Sequence, residues 1–117
     1  MDRVPLDAPV YLYTGVLDMR VGFDRLVRKV SEESSRRVMS GGYYVFFSRT
    51  RDRVRILYWD RDGYAMWTKR LEAGSYKVER SPGGYDEVTA VDLEAFLAGM
   101  DLARIKLRKS AESGLFL

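Results

Sequence analysis

The sequence predicts an α+β domain. It reads as an antiparallel sheet of four to five strands, with one helix before and one helix after a central meander and both helices on one face. Three observations lead there. Residues 53–71 look like two strands joined by a tight turn. Residues 19–32 and 90–100 carry apolar side chains at helical spacing. The strand-like runs of the meander are separated by short turns, and short turns force antiparallel neighbours.

Taken in order, residues 1–8 form a short leader. Val10-Tyr11-Leu12-Tyr13 alternates and predicts a first strand, stopped by Thr14-Gly15. Asp18 is a candidate helix cap, because its carboxylate can accept from amides two or three residues on. The helix over 19–32 places Phe23, Leu26, Val27 and Val30 on one face and Arg25, Arg28, Lys29 and Glu32 on the other. Gly22 costs about 1 kcal/mol against Ala inside a helix, which points to a close approach by another backbone. Residues 34–42 are loop, 43–49 the next strand, and 50–52 turn into the central hairpin.

The first hairpin arm, 54–59, is dense in β-branched and aromatic side chains, which suit a pleated, half-buried surface. Asp60-Arg61-Asp62-Gly63 closes it, and Asp-Gly offers the positive φ a hairpin turn needs. The second arm, 64–71, carries Trp67 and ends on Lys69 and Arg70. A turn at 72–75 precedes a further short strand at 76–79. Ser81-Pro82-Gly83-Gly84 then breaks the structure and leads into a polar loop. Thr89, with Asp92 three residues later, forms a capping box. The helix over 90–100 presents Val91, Leu93, Phe96, Leu97 and Met100 to the core. Residues 102–117 are expected to be a basic, flexible tail. The strands are apolar at both parities, Leu57 and Trp59 against Ile56 and Tyr58. One face meets the helices; the other exposes aromatic surface or meets a partner.

A chain of 117 residues with 46% hydrophobic content can build one core, so 1–117 reads as a single domain. Cysteine is absent, which excludes disulfides and thiolate zinc sites. Histidine is absent too, removing the commonest general base and metal ligand. No cofactor is expected. There is no apolar run of the roughly 18 residues a membrane helix needs, and 1–5 lack a basic-then-apolar signal, so a cytoplasmic protein with no membrane partner is the default expectation. The formal net charge is +3, mildly basic, so its distribution matters more than its sum. Nothing in the sequence sets an oligomeric state.

Two motifs carry more. Arg53-Val54-Arg55-Ile56-Leu57-Tyr58-Trp59-Asp60 is followed by Gly63, Trp67, Lys69-Arg70-Leu71-Glu72 and Gly74. Upstream stand Thr14-Gly15-Val16, Asp18-Met19-Arg20 and Gly22-Phe23-Asp24-Arg25-Leu26, with Tyr44-Val45-Phe46-Phe47-Ser48-Arg49 between. In this order and register, over about 11–101, the chain resembles the TnpB-type, second-reading-frame accessory proteins of the IS-sixty-six group of bacterial insertion sequences. It departs from their pattern at Arg55 (usually Lys), Tyr64 (usually Phe), Ser48 (usually Asn) and Val78-Glu79-Arg80 (usually a Trp-Pro ending). The resemblance implies a role in transposition, beside a larger transposase encoded by the same element; with no histidine, no convincing carboxylate triad and a small sheet, that role is expected to be non-enzymatic.

Four constellations are candidate sites. Arg49, Arg51, Arg53, Arg55, Lys69 and Arg70, interleaved with Tyr58, Trp59, Tyr64 and Trp67, would gather cations near one end of the sheet, as phosphate contact requires. The plainer reading is solvated strand edges, where Lys and Arg block aggregation, and core rings. Asp18 and Arg20, with Asp24, read either as a cap and ion pair steadying a loop or as a contact surface for DNA or transposase. Asp52, Asp60, Asp62 and Glu72 could hold magnesium for a small nuclease, but Asp60 and Asp62 fit local turn bonding. The basic run Arg104 to Lys109 fits a phosphate backbone or plain solvation. The reading adopted is an accessory protein that contacts DNA, at transposon ends or non-specifically, and assists the transposase. An adaptor that recruits the transposase without touching nucleic acid is the alternative.

Overall fold

The computed structural model describes residues 4–99. Its strands are β1 (Val10–Tyr13), β2 (Tyr43–Phe47), β3 (Arg53–Asp60), β4 (Gly63–Arg70) and β5 (Tyr85–Val88); its helices are α1 (Phe23–Ser34) and α2 (Ala90–Leu97). The strands form one sheet in the order β4-β3-β2-β1-β5. The α+β class, the five strands and the helix on either side of the β2–β3–β4 meander are as the sequence predicts.

Two features of the expected architecture are corrected. First, the sheet is mixed: β1 and β2 run parallel, Val10 opposite Tyr43 and Leu12 opposite Val45, while the other pairs are antiparallel. The connection between β1 and β2 is no short turn. It carries α1, and a crossover of that length returns the chain to the same end of the sheet. Second, the helices lie on opposite faces. Leu26 and Val30 of α1 pack with Tyr11, Tyr13, Tyr44, Phe46 and Leu57. Ala90, Leu93 and Phe96 of α2 pack with Val10, Leu12, Val45, Phe47, Val54 and Ile56. Alternate residues of each strand point to alternate faces, so strands apolar at both parities need cover on both sides.

The remaining differences are local. The 76–79 stretch is no strand, although Tyr76 and Val78 are buried; the fifth strand is β5, which pairs Val88 with Val10 and Tyr85 with Tyr13. Asp18 does not cap α1. Its carboxylate is taken by Arg20, and the cap is Gly22, extended at φ −87° with no side-chain cap bond. A Cβ on Gly22 would meet nothing within 4 Å, so no backbone presses on it. Phe23, at the first turn of α1, is exposed, as is Val91 in α2. At the hairpin tip the positive φ belongs to Arg61, at 54°, and not to Gly63. The Thr89 capping box forms as expected, with Asp92 N donating to Thr89 Oγ1 and Thr89 N to Asp92 Oδ2. Within the leader, Val4 is buried in the α2-side core. The expected contribution of Met100 to that core, and the basic tail, lie outside the described residues.

Rings dominate both cores. Phe47 meets Phe96 edge-on at 5.3 Å and Tyr76 at 5.6 Å. On the α1 side Tyr11 stacks on Tyr44 at 5.1 Å, and Tyr13 lies 5.2 Å from Tyr85. Phe96 is 1% exposed, so Phe96→Ala should cost about 3–5 kcal/mol. The measurement is a lowered urea midpoint at unchanged m-value. Burial also pushes the Tyr44 phenol up to about 12, and Tyr43, Tyr76 and Tyr85 move the same way, each chiefly through burial. The unfolded chain ionises these phenols at the ordinary value of 10.0, so the stability they contribute is complete below that pH and is lost as pH rises toward about 12. Urea midpoints followed up this range should fall in the wild type and fall less in Tyr44→Phe; parallel curves would contradict the assignment.

Candidate functional site

The turn between β2 and β3 is built around Ser48. Its N–H donates to Arg53 O at 3.1 Å, and its carbonyl accepts from Arg51 N at 3.0 Å. Its hydroxyl accepts from Arg53 N and donates to Asp52 Oδ1, each at 3.2 Å. A short side chain that serves both strands holds the turn closed and leaves Arg49 and Arg53 exposed. Arg53 stands directly opposite Arg70 across β3 and β4. Like charges in that position are destabilising.

Beside this turn runs the 15–22 loop, fixed by two inward-turned arginines. Arg55 projects from β3 on the α1 face and donates to Val21 O at 2.6 Å and Met19 O at 2.8 Å. Arg80 donates to Gly15 O and to Ser48 O, tying loop and turn together. Leu17 N adds a bond to Phe47 O at 3.2 Å. Loop and turn enclose an open groove of about 740 Å³, lined by Asp18, Met19, Arg20, Ser48, Arg49 and Arg53 among others. The two sequence motifs, far apart in the chain, are its opposite walls.

The electrostatics follow from who is paired. Asp18 binds the Arg20 guanidinium at 2.8 Å on the open surface; these hydrogen bonds hold its pKa at about 2. Asp52 is also held low, first by the Thr50 hydroxyl. Burial moves Arg55 and Arg80 downward, although a guanidinium stays charged throughout the working range. Arg70 is 3.7 Å from Glu72, both well exposed. Among the described residues, no carboxylate lies within ion-pair distance of Arg49 or Arg53.

The structure therefore divides the residues singled out in the sequence. Arg49, Arg51, Arg53 and Arg70 gather at one end of the sheet. Lys69 reaches the same end on the other face, opposite Val54 of the α2-side core. Arg55 is turned inward. Asp60 and Gly63 pair at the far end of the hairpin, beside Trp59, which meets Tyr64 edge-on at 5.0 Å. Tyr58 stacks on Tyr43 at 5.0 Å, and Trp67 packs on the α2-side core. The rings thus stand apart from the cationic end. Asp52 and Asp60 flank opposite ends of β3, and among the described residues no three His, Cys, Asp or Glu side chains come close enough to hold a metal. Arg80 was not anticipated; its one signal was the departure from the family pattern at 78–80.

A small mixed sheet with an arginine-bearing turn and a groove, and with no such carboxylate cluster among the described residues, defines a compact α+β protein whose most distinctive surface is cationic. The chain belongs to the family described as IS66 Orf2 like protein, which it matches over residues 8–107. This places it among the insertion-sequence accessory proteins, which are not a known enzyme family. It is similar to two proteins of Sinorhizobium fredii (strain NBRC 101917 / NGR234), both named as uncharacterized. It is 30% identical to y4hO over 92 residues, 79% of this chain and 80% of the relative. It is 29% identical to y4jC over 97 residues, 83% of each chain. No solved structure matches. Among the described residues no helix is long and apolar enough to cross a membrane.

The Arg55 clamp can be tested directly. Hydrogen bonds from a charged donor contribute about 1.5–3 kcal/mol each, so Arg55→Met, which removes two, should cost about 3–6 kcal/mol. It should also speed amide hydrogen exchange at Val21, whose N–H bonds Asp18 O at 3.1 Å, more than at the central strands. Uniform acceleration would show that Arg55 acts on the whole fold and not on the loop.

Proposed function

We propose that this protein assists insertion-sequence transposition by contacting the phosphate backbone of DNA through the cationic end of its sheet, alongside the transposase of the same element. The supporting observation is the opposition of Arg53 and Arg70, with Arg49 on the adjoining turn and, among the described residues, no carboxylate within ion-pair distance of Arg49 or Arg53. A fold that keeps like charges face to face accepts a cost, which a polyanion would offset. Arg51 lies in the same turn, and Lys69 extends the positive surface around the edge of the sheet. Arg55 positions the groove wall, while Trp67 packs on the α2-side core and Trp59 braces the far end of the hairpin against Tyr64.

Contacts of this kind read charge and not bases, so retention should weaken steeply with salt and vary little with sequence. In gel shifts on duplex DNA, Arg49→Ser, Arg53→Ser and Arg70→Ser should each lower the salt slope by roughly 1 and weaken every duplex alike. No retardation at low salt, on duplex or single strands, would overturn the reading. Co-purification with transposase that survives nuclease and high salt, with no retardation of DNA, would instead establish a protein adaptor.

A further inference from the structure

We propose that Arg49, Arg51 and Arg80 form a discrete phosphate site at the β2–β3 turn. Three unfavourable features coincide there. Arg51 holds φ at 61°, a left-handed conformation that disfavours any residue with a Cβ. Its Nε is buried without a hydrogen-bond partner, and a buried donor left unpaired is costly. Arg80 is flanked by like charge: after burial, the Arg51 and Arg49 guanidiniums are what depress its pKa.

Among the described residues no ion pair offsets this charge. No carboxylate lies within ion-pair distance of the three arginines, and the nearby Asp52 carboxylate accepts from the Ser48 and Thr50 hydroxyls. The bonds of Arg80 run to the carbonyls of Gly15 and Ser48. They fix its position, leave its charge intact and use two of the five donors a guanidinium carries. A phosphoryl group has several acceptor oxygens in a tetrahedral array. It would take the Arg51 Nε–H, bridge to the remaining donors of Arg80, and draw in the exposed arm of Arg49. It answers the unpaired donor and the repulsion together. The strained backbone of Arg51 is then the cost of aiming that side chain inward.

This deepens the reading above and rests on it only for the source of the phosphate, a nucleic-acid backbone or free phosphate. The test titrates inorganic phosphate, and separately a short duplex, into the isotope-labelled full chain at constant ionic strength while the arginine Nε–H resonances are followed. Phosphate should shift the Arg51 Nε–H saturably, and Arg49→Ser should weaken that titration several-fold. Phosphate should also raise the thermal midpoint above matched chloride in the wild type and not in Arg51→Gly, which suits the positive φ and folds readily. The same shift on adding duplex identifies the backbone as the source. A shift with phosphate and none with duplex upholds the site and removes nucleic acid from it. No saturable shift, or an equal phosphate-induced rise in Arg51→Gly, overturns the site. Duplex retention that still depends on Arg53 and Arg70 would in that case leave the proposed function standing.

Discussion

Two guanidinium groups turned into the protein hold the rest of its working surface in place. The 15–22 segment precedes α1 and has no regular structure of its own, so its carbonyls need partners from elsewhere. Arg55 takes those of residues 19 and 21, and Arg80 takes those of residues 15 and 48. Away from water a charge–carbonyl bond is strengthened, and the same burial makes an unmade bond costly. The loop therefore has one position on the sheet. That position sets the entry of α1 at Gly22 and the near wall of the groove.

Arg55 can do this because of where it sits. It faces Phe46 across β2 and β3, on the side covered by α1. Such a position in the sheet interior would ordinarily carry an apolar side chain. A long aliphatic stem packs there like one, while the head reaches past it to the loop. The neighbouring Arg53, two residues earlier on the same face, opens onto the groove and remains exposed. Two arginines on one strand, at equal parity, thus have opposite roles. The difference lies in what chain passes over each, which spacing along the strand cannot express.

That limit marks how much was legible. The central hairpin was, because β-branched and aromatic residues flank a turn sequence, and β3 and β4 fall where residues 54–59 and 64–71 placed them. The second helix was, because Thr89 and Asp92 satisfy each other's backbone. β5 was not: Tyr-Asp-Glu-Val is short and acidic, and it becomes a strand only by pairing with β1, a tertiary fact. The parallel pairing of β1 and β2 and the split of the helices across two faces are likewise set by the crossover through α1. In the site, the cationic end could be read from arginine spacing, whereas the inward roles of Arg55 and Arg80 could not. Their partners are backbone carbonyls, present at every residue, so no particular side chain announces the contact.

The plain explanation for arginines near a sheet edge is protection against edge-to-edge pairing. It accounts for Lys69 and Arg70, since β4 is an outer strand. It does not account for the others. β3 lies between β2 and β4, so Arg53 guards no free edge, and Arg49 and Arg51 belong to a turn. Nor does solubility require two arginines directly opposed, or an arginine in a left-handed conformation with a buried, unpaired nitrogen. A charge placed only for solvation would settle wherever its neighbours cost least. These sit where the cost is high, on a turn braced from both sides, and fixed cations of that kind are better suited to a fixed array of anions than to water.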